Sequence, residues 1–347
     1  MAQTKDFNRQ ILLSSRPVGA PKSDNFKFVE SEKPQISTGK VLLRTVYLSL
    51  DPYMRGRMSD AKSYAPPVEI GAAMVGGTVC RVEQSLNSDF AVGDWVVSFS
   101  GWQDYSVSDG VNLLKLDASL THHSYALGIL GMPGLTAYMG LLDIGQPKAG
   151  ETVVVAAATG AVGSLVGQIA KLNGCKVVGI AGGKEKCDYA VQALGFDYCL
   201  DHKSANLAEQ LAEACCDGID VYFENVGGKV FDAVLPLLNS KARIPLCGLI
   251  SQYNATELPT GLDRLSMLMG TLLVKRIKMQ GFIVFDDYGH RYNEFSEAMV
   301  AWLSAGKIKY KEQLVDGLEN APTAFMGLLQ GENFGKLIVR VGPDDLN

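Results

Sequence analysis

The segment Val153-Val154-Val155-Ala156-Ala157-Ala158-Thr159-Gly160-Ala161-Val162-Gly163 runs from an apolar stretch into small residues spaced as Gly-x-Gly-x-x-Gly, with Ala158 in place of the first glycine. That spacing serves phosphate chemistry. Gly160 lets backbone approach a pyrophosphate, and Gly163 lets a helix pack tightly on the preceding strand. The opening helix then turns free N–H groups and its positive dipole end toward the anion. A strand before the turn and a helix after it are what the motif requires, so Gly160, Ala161, Val162 and Gly163 are predicted to hold a dinucleotide. About 20 residues further on, an NAD site carries an acid for the ribose hydroxyls. This chain instead reads Ile180-Ala181-Gly182-Gly183-Lys184-Glu185-Lys186. The missing acid and the two lysines suit a 2′-phosphate, favouring NADP(H) over NAD(H), with Lys184 and Lys186 both candidates. Loops at the carboxyl ends of later apolar strands could line a nicotinamide pocket: Glu224–Gly228, Cys247–Tyr253 and Phe282–Tyr288.

Other chemistries find no framework. Seven cysteines are scattered without a Cys-x-x-Cys pair, five of them within residues 175–216. This fits neither a disulfide scaffold nor a zinc ribbon, and predicts reduced thiols in the cytoplasm. The four histidines, His122, His123, His202 and His290, lie beside no Gly-x-Ser-x-Gly elbow and in no His-Glu-x-x-His pair.

The elements that must position these residues change character along the chain. Residues 1–125 carry short β-type runs, Val41–Tyr47, Gly77–Val82 and Trp95–Phe99, punctuated by Pro66-Pro67 and Gly93-Asp94. Such runs predict a partly open barrel or sandwich. From about residue 150, strands alternate with helices: strand Thr152–Ala156, helix Val162–Leu172, strand Lys176–Ala181 and helix Glu185–Leu194. Later strands are expected at Val221–Glu224, Arg243–Cys247 and Met279–Phe285. Continuous apolar strands between helices indicate a parallel sheet covered on both faces. Leu262–Met269 reads as a further helix rich in Met and Leu. After residue 306 short strands return, Gln313–Val315 and Lys336–Val341, around one helix. The expectation is an α/β chain with a GroES-like β-rich catalytic domain (1–128 and 306–347) and a Rossmann doubly wound parallel-sheet domain (129–305).

Size and charge agree. At ~150 residues per domain, 347 residues give about two domains. Thirty-two basic against 37 acidic residues leave a net charge of −5, without the basic block that nucleic acid requires. No apolar run approaches the roughly 18 residues of a membrane span. The opening Met-Ala-Gln-Thr-Lys-Asp-Phe-Asn lacks an apolar secretion core.

The chain resembles the zinc-independent medium-chain dehydrogenase/reductases, in the branch of leukotriene B4 12-hydroxydehydrogenase and prostaglandin reductase that includes the bacterial curcumin reductases. The residues that carry the resemblance run from Asn8-Arg9-Gln10 to Gly335-Lys336. They include Leu50-Asp51-Pro52-Tyr53-Met54-Arg55, Ala157–Ser164, Tyr222-Phe223-Glu224-Asn225-Val226-Gly227-Gly228, Cys247–Asn254, Glu319–Phe325 and Gly331-Glu332-Asn333-Phe334-Gly335-Lys336. The resemblance implies hydride transfer from NADPH to the β-carbon of an α,β-unsaturated ketone or aldehyde, curcumin-like or lipid-derived, by a homodimer. It implies that Lys186 holds the 2′-phosphate and His202 the adenosine side, where the family often has Tyr. Asn225, Cys247, Gly248, Ser251, Tyr253, Phe282, Val284 and Asn333 would flank the cofactor. The zinc-dependent relatives carry Gly-His-Glu where this chain has Gly71-Ala72-Ala73, and a cysteine quartet that is absent here, so no metal is expected. Without one, a phenol is suited to stabilise and protonate the enolate oxygen. Tyr253 is the foremost candidate, with Tyr53 and Tyr64 lining the pocket. Two alternatives stay open: a quinone reductase of the same superfamily, and a protein that binds NADPH without turnover.

Overall fold

The computed structural model describes residues 7–117, 120–257 and 264–344. Two units divide the chain, one formed by the stretch up to Gly128 together with that from Glu312 onward, the other by Ile129–Lys311.

The chain starts with an antiparallel hairpin, β1 (Phe7–Leu13) and β2 (Phe26–Glu32), paired from Phe7↔Glu32 to Leu13↔Phe26. Strand β3 (Val41–Ser49) follows, then the short helix α1 (Tyr53–Arg57) and strands β4 (Thr78–Ser85), β5 (Trp95–Ser98), β6 (Tyr105–Ser108) and β7 (Leu114–Lys115). β3 is buried along nearly its whole length because β4 covers one edge while β6 and a late strand share the other. Under it, Phe26 stacks on Trp102 at 5.7 Å and Phe325 meets both rings edge-on.

The second unit begins with α2 (Met132–Met139), which runs on into a π-helical turn over Gly140–Gly145. Then come β8 (Thr152–Ala156), α3 (Gly163–Leu172), β9 (Lys176–Ala181), α4 (Lys184–Gln192), β10 (Tyr198–Asp201), α5 (Leu207–Ala214) and β11 (Ile219–Phe223). After them lie α6 (Gly228–Val234), β12 (Leu238–Leu246), α7 (Leu265–Lys275), β13 (Lys278–Gly281), α8 (Val284–Tyr288) and α9 (Tyr292–Ser304). The six strands are parallel in the order β10-β9-β8-β11-β12-β13, the doubly wound Rossmann order whose switch point falls between β8 and β11. Val153, Val154 and Val155 are fully buried, each contributing about 1.5–3 kcal/mol of transfer free energy. The chain returns to the first unit with β14 (Glu312–Asp316), α10 (Ala321–Leu329) and β15 (Lys336–Arg340), β15 pairing antiparallel to β3.

The expected fold class is the one observed. Three details differ. The strand expected over Met279–Phe285 stops at Gly281, and Val284–Tyr288 is helical. Asp286 and Asp287 favour a helix start there, and the Asp287 carboxylate accepts the Ile283 N–H at 2.9 Å. The β1–β2 hairpin and the strand β10 carry too little apolar sequence to announce themselves. The helix expected over Leu262–Met269 begins at Leu265, residues 262 and 263 lying outside those described.

Candidate active site

The first turn is built by close approach. After β8, Ala157 takes a left-handed φ of 52°, unusual for a residue with a Cβ. The Ala158 N–H then ties the turn to β9 through the Ile180 carbonyl (3.0 Å), and the Gly160 N–H closes on the Ala157 carbonyl (2.9 Å). A Cβ on Gly163 would sit 2.2 Å from that same carbonyl oxygen, so only glycine fits. No side chain caps α3; the Ser164 N–H turns back to the Gly160 carbonyl and those of Leu165 and Val166 to the Val162 carbonyl, so an anion at this end would meet the turn and the first residue of the helix. Gly167 keeps α3 on the sheet, since a Cβ there would lie 1.9 Å from the Phe196 ring.

The second strand ends without an acid, as its sequence reads, in Gly182 and Gly183, the latter at φ 91°. A Cβ on Gly182 would come within 2.9 Å of His202 Nε2. An acid does stand at the end of the neighbouring β10, but Asp201 Oδ1 is committed to the backbone, accepting the N–H groups of Gly183 and Lys203 at 2.9 Å each. Those bonds hold its pKa below the usual carboxylate value. Lys186 is half-buried on the first turn of α4. Its charge reaches His202, whose pKa is lowered chiefly by desolvation, with Lys203 and Lys186 adding to it and Asp201 opposing. Lys184 is exposed and pairs with Asp188 at 2.5 Å. Lys186 and His202 thus converge beside the Gly182-Gly183 turn, while Lys184 faces along its own helix.

At the switch point a single buried acid organises two loops. Glu224, fully buried directly after β11, accepts the N–H groups of Val226 (2.6 Å) and Gly227 (2.9 Å) on Oε1. The buried Tyr222 phenol lies against its carboxyl. Burial raises the Glu224 pKa, against these hydrogen bonds. Its backbone carbonyl takes the N–H groups of Cys247 and Gly248 at 2.9 and 3.2 Å. Asn225 donates its side-chain amide to the Ala156 carbonyl at 2.8 Å, bridging β8 and β11 across the switch point. Ser251 fastens the Cys247–Tyr253 loop to Val226, its N–H reaching that carbonyl at 3.1 Å and its hydroxyl at 2.5 Å. The Tyr253 phenol folds back on this loop, accepting the Leu249 N–H at 3.3 Å, and a Cβ on Gly248 would lie 3.0 Å from its oxygen. The Cys247 thiol is pushed up to about 12 by burial, with Glu224 adding to it, so it is no nucleophile at neutral pH.

Phe282 and Val284 are buried at the end of β13 and the start of α8. Gly140 makes room for Phe282, since a Cβ there would meet that ring at 2.8 Å. Asp143, in the π-helical turn, anchors the far end of the segment by accepting from the Tyr288 hydroxyl (2.9 Å) and Arg291 (2.7 Å). Burial, with that bond to Asp143, pushes the Tyr288 phenol up to about 12.

In the first unit, Tyr53 opens α1 and packs on the core formed by Leu48, Leu50 and Met54. Burial, then Asp51, pushes its pKa well above the ordinary phenol value, and Tyr64 is close enough to contribute. Tyr53 therefore stays a protonated donor throughout the neutral range, beside the exposed Tyr64. The Asn333 amide donates to the Gly335 carbonyl at 2.8 Å.

Among the described residues no three His, Cys, Asp or Glu side chains converge as a metal site. A cavity of about 830 Å³ opens along the outer edge of β10 between Lys184, Tyr198, Lys203 and Glu213. Of the residues named for the cofactor or for catalysis it is lined by Lys184 alone. The donor set does fit a phosphorylated dinucleotide: a turn closed to any Cβ at Gly163, an uncapped helix, and an acid-free glycine pair flanked by Lys186 and His202. From the sequence Glu224 enters only as the first residue of a loop that could line the nicotinamide pocket, and Asp143 has no role, although an acid directly abutting the apolar run Val221-Tyr222-Phe223 is a legible sign of a buried carboxyl.

Comparison with known proteins identifies the family. The family model described as the N-terminal domain of oxidoreductase matches residues 9–116, and that described as zinc-binding dehydrogenase matches residues 161–305. The chain is 63% identical to the NADPH-dependent curcumin reductase of Escherichia coli (strain K12), over 99% of this chain and 100% of that protein. It is 45% identical to prostaglandin reductase 1 of Rattus norvegicus, over 93% and 95%. The crystal structure of CurA in complex with NADPH from Vibrio vulnificus superposes with a TM-score of 0.95 at 68% identity, covering 96% of this chain and 99% of that one. With the strand order, the glycine turn and identity of this extent along nearly its whole length, the chain belongs to the medium-chain dehydrogenase/reductase family.

Proposed function

We propose that this protein is an NADPH-dependent double-bond reductase acting on α,β-unsaturated ketones and aldehydes. The observation that carries the reading is 63% identity, over 99% of the chain, to an NADPH-dependent curcumin reductase in a chain that keeps the glycine turn and the acid-free second strand. NADPH supplies the hydride that reaches the substrate's β-carbon. The chain's own residues bind, orient and protonate.

In this reading the Gly160–Gly163 turn and the N–H groups opening α3 hold the pyrophosphate. Lys186 holds the 2′-phosphate and His202 borders the adenosine. Asn225, the loop from Cys247 through Gly248 and Ser251 to Tyr253, the Phe282 and Val284 pair, and Asn333 flank the nicotinamide half. Glu224 acts on them indirectly by fixing the backbone of both switch-point loops. Tyr253 donates a hydrogen bond, then a proton, to the enolate oxygen. For this its phenol leaves the Leu249 N–H and turns to substrate, with Tyr53 and Tyr64 lining the pocket. We assign the GroES-like catalytic role to 1–128 and 306–347, and the NADP-binding role to 129–305.

A cytoplasmic homodimer completes the proposal. All seven cysteines are free thiols, as expected of a reducing compartment. Helix α7 exposes Leu265, Met267, Met269, Leu273 and Val274, and it leads into β13, the outer strand of the sheet. A second copy would cover that apolar face, and light scattering would report it as twice the chain mass. No helix among the described residues is long and apolar enough to cross a membrane.

The test is loss of NADPH absorbance with curcumin, a 2-alkenal, a 15-keto enone and a quinone, repeated with NADH. Enone turnover with NADPH well above NADH is expected. Turnover of quinones alone would assign a quinone reductase, and NADPH binding without any turnover would leave a cofactor-binding protein. Tyr253→Phe is expected to lower kcat by ~10²–10⁴-fold if the phenol is the sole general acid. An unchanged kcat would move the proton to another group.

A further inference from the structure

Two charges in the segments Leu50–Arg55 and Gly331–Lys336 have no part in the scheme above. Lys336, at the start of β15, is 1% exposed, and Asp51, just after β3, is 5% exposed. The Lys336 ammonium donates to Asp51 Oδ1 at 2.6 Å, to Ser49 Oγ at 2.6 Å and to the Leu50 carbonyl at 3.0 Å. Ser49 passes its own hydroxyl hydrogen to Asp51 Oδ2. All three ammonium hydrogens are used, on three consecutive residues.

Stability alone does not account for this arrangement. Taking two charges out of water costs about as much as their attraction returns, and an apolar pair of similar volume is often as stable or more so. Lys336 and Asp51 both lie in the interior, 1% and 5% exposed, where an apolar pair would meet almost no water. An ion pair adds direction, because three fixed donor vectors specify where three acceptors must lie. On one side of the cluster, the Asp51 carbonyl accepts the Met54 N–H at 3.1 Å, seating the first turn of α1 and with it Tyr53. On the other, Gly335 precedes Lys336 and accepts from the Asn333 amide, while the Phe334 N–H is held by Gln313 at 2.8 Å. Tyr53 and Asn333 come from stretches of chain about 285 residues apart, joined at one ammonium.

We propose that Lys336, with Asp51 and Ser49, is a positioning residue that sets the Tyr53 phenol and the Asn333 amide relative to one another. The proposal rests on the reading of Tyr53 and Asn333 as site residues. A group displaced by about 1 Å can cost on the order of a hundredfold in rate, so replacing the pair by well-packed apolar side chains should spare the fold and damage the reaction.

The experiment is the double variant Asp51→Leu/Lys336→Met, compared with the unaltered protein in thermal melting, NADPH affinity by cofactor fluorescence, and steady-state kinetics with curcumin. The expected result is a melting temperature no lower than the parent's, a kcat at least about tenfold lower with KM for curcumin little changed, and weaker NADPH binding. Adding Tyr53→Phe should cost less in this background than in the parent, because the phenol is already displaced. A folded double variant with parental kcat and parental NADPH affinity overturns the proposal. Should the double variant not fold, Asp51→Asn, which keeps the shape and removes the counter-charge, is read in the same way. Lowered kcat or weakened NADPH binding supports the proposal, and parental values of both overturn it. If the unaltered protein reduces no enone, the functional reading fails instead, and NADPH affinity still reports on the cluster.

Discussion

Each unit buries one carboxylic acid at the end of a central strand, beside a loop that carries candidate site residues, and the two acids are satisfied in opposite ways. Glu224, after β11, is held by backbone N–H groups of the loop it organises. Asp51, after β3, is held by an ammonium delivered from the far end of the chain. The difference is local. The chain after Glu224 turns at once, so the N–H groups of Val226 and Gly227 fold back onto its carboxylate. After Asp51 the Met54 N–H is spent on the Asp51 backbone carbonyl, and the carboxylate is met by side chains instead.

The sharpest way to break the comparison is Lys336→Met alone. It strands the Asp51 carboxylate without its cation and should cost about 3–5 kcal/mol in denaturant unfolding. Glu224→Ala should cost less, about 1–3 kcal/mol, because it frees two N–H groups but leaves no unpaired charge. Its signature is functional: a raised NADPH dissociation constant in fluorescence titration. If Glu224→Ala destabilised more than Lys336→Met, the contrast drawn here would fail.

pH dependence sharpens it further. Burial raises the Glu224 pKa, so in the window between its unfolded value, about 4.3, and its folded value the native state binds more protons than the unfolded chain. Stability therefore falls as pH rises through that window and then levels. Glu224→Gln should flatten this component in urea melts taken at successive pH values; an unchanged slope would show that another group carries it. The smallest effect is expected at Ala157, whose left-handed φ costs about 1–2 kcal/mol. Ala157→Gly releases that strain but loosens the unfolded chain by roughly 0.5–1 kcal/mol. A net gain of about 0.5 kcal/mol should raise the melting temperature by ~1–2 °C, and a drop would mean the turn needs the methyl group.

The same contrast governs what was legible beforehand. β8 and β9 are found where the sequence places them, because strands buried on both faces must be continuously apolar and the glycine spacing that follows is local. Lys186, five residues beyond β9, follows from the same local logic, whereas His202, one residue beyond β10, is picked out only by the family resemblance. Lys336 gives no such sign, since a lysine opening a strand looks like any solvated edge and its partner lies in a distant segment. Glu224 is signalled only by its place directly after an apolar run; that it holds the N–H groups of Val226 and Gly227 shows only in the fold. Phe282 and Val284 are buried as an apolar strand would bury them, yet the strand stops before Phe282 and a helix starts at Val284, because periodicity does not register the carboxylate of Asp287. Tyr253 was singled out for its phenol, but no sequence pattern reveals that this oxygen rests on its own loop.

The pairing of β15 with β3 also sets an order of assembly. At roughly 5–20 residues per second, a ribosome that has made Asp51 needs about 15–60 s more to supply Lys336. Throughout that interval one edge of β3 stands open at Tyr47–Ser49, where β15 will pair, and open strand edges invite association with other chains. The parallel-sheet unit is encoded wholly within the gap. By folding first it shortens the effective loop that β15 must close. The nascent chain thus makes its first sheet early and closes it last.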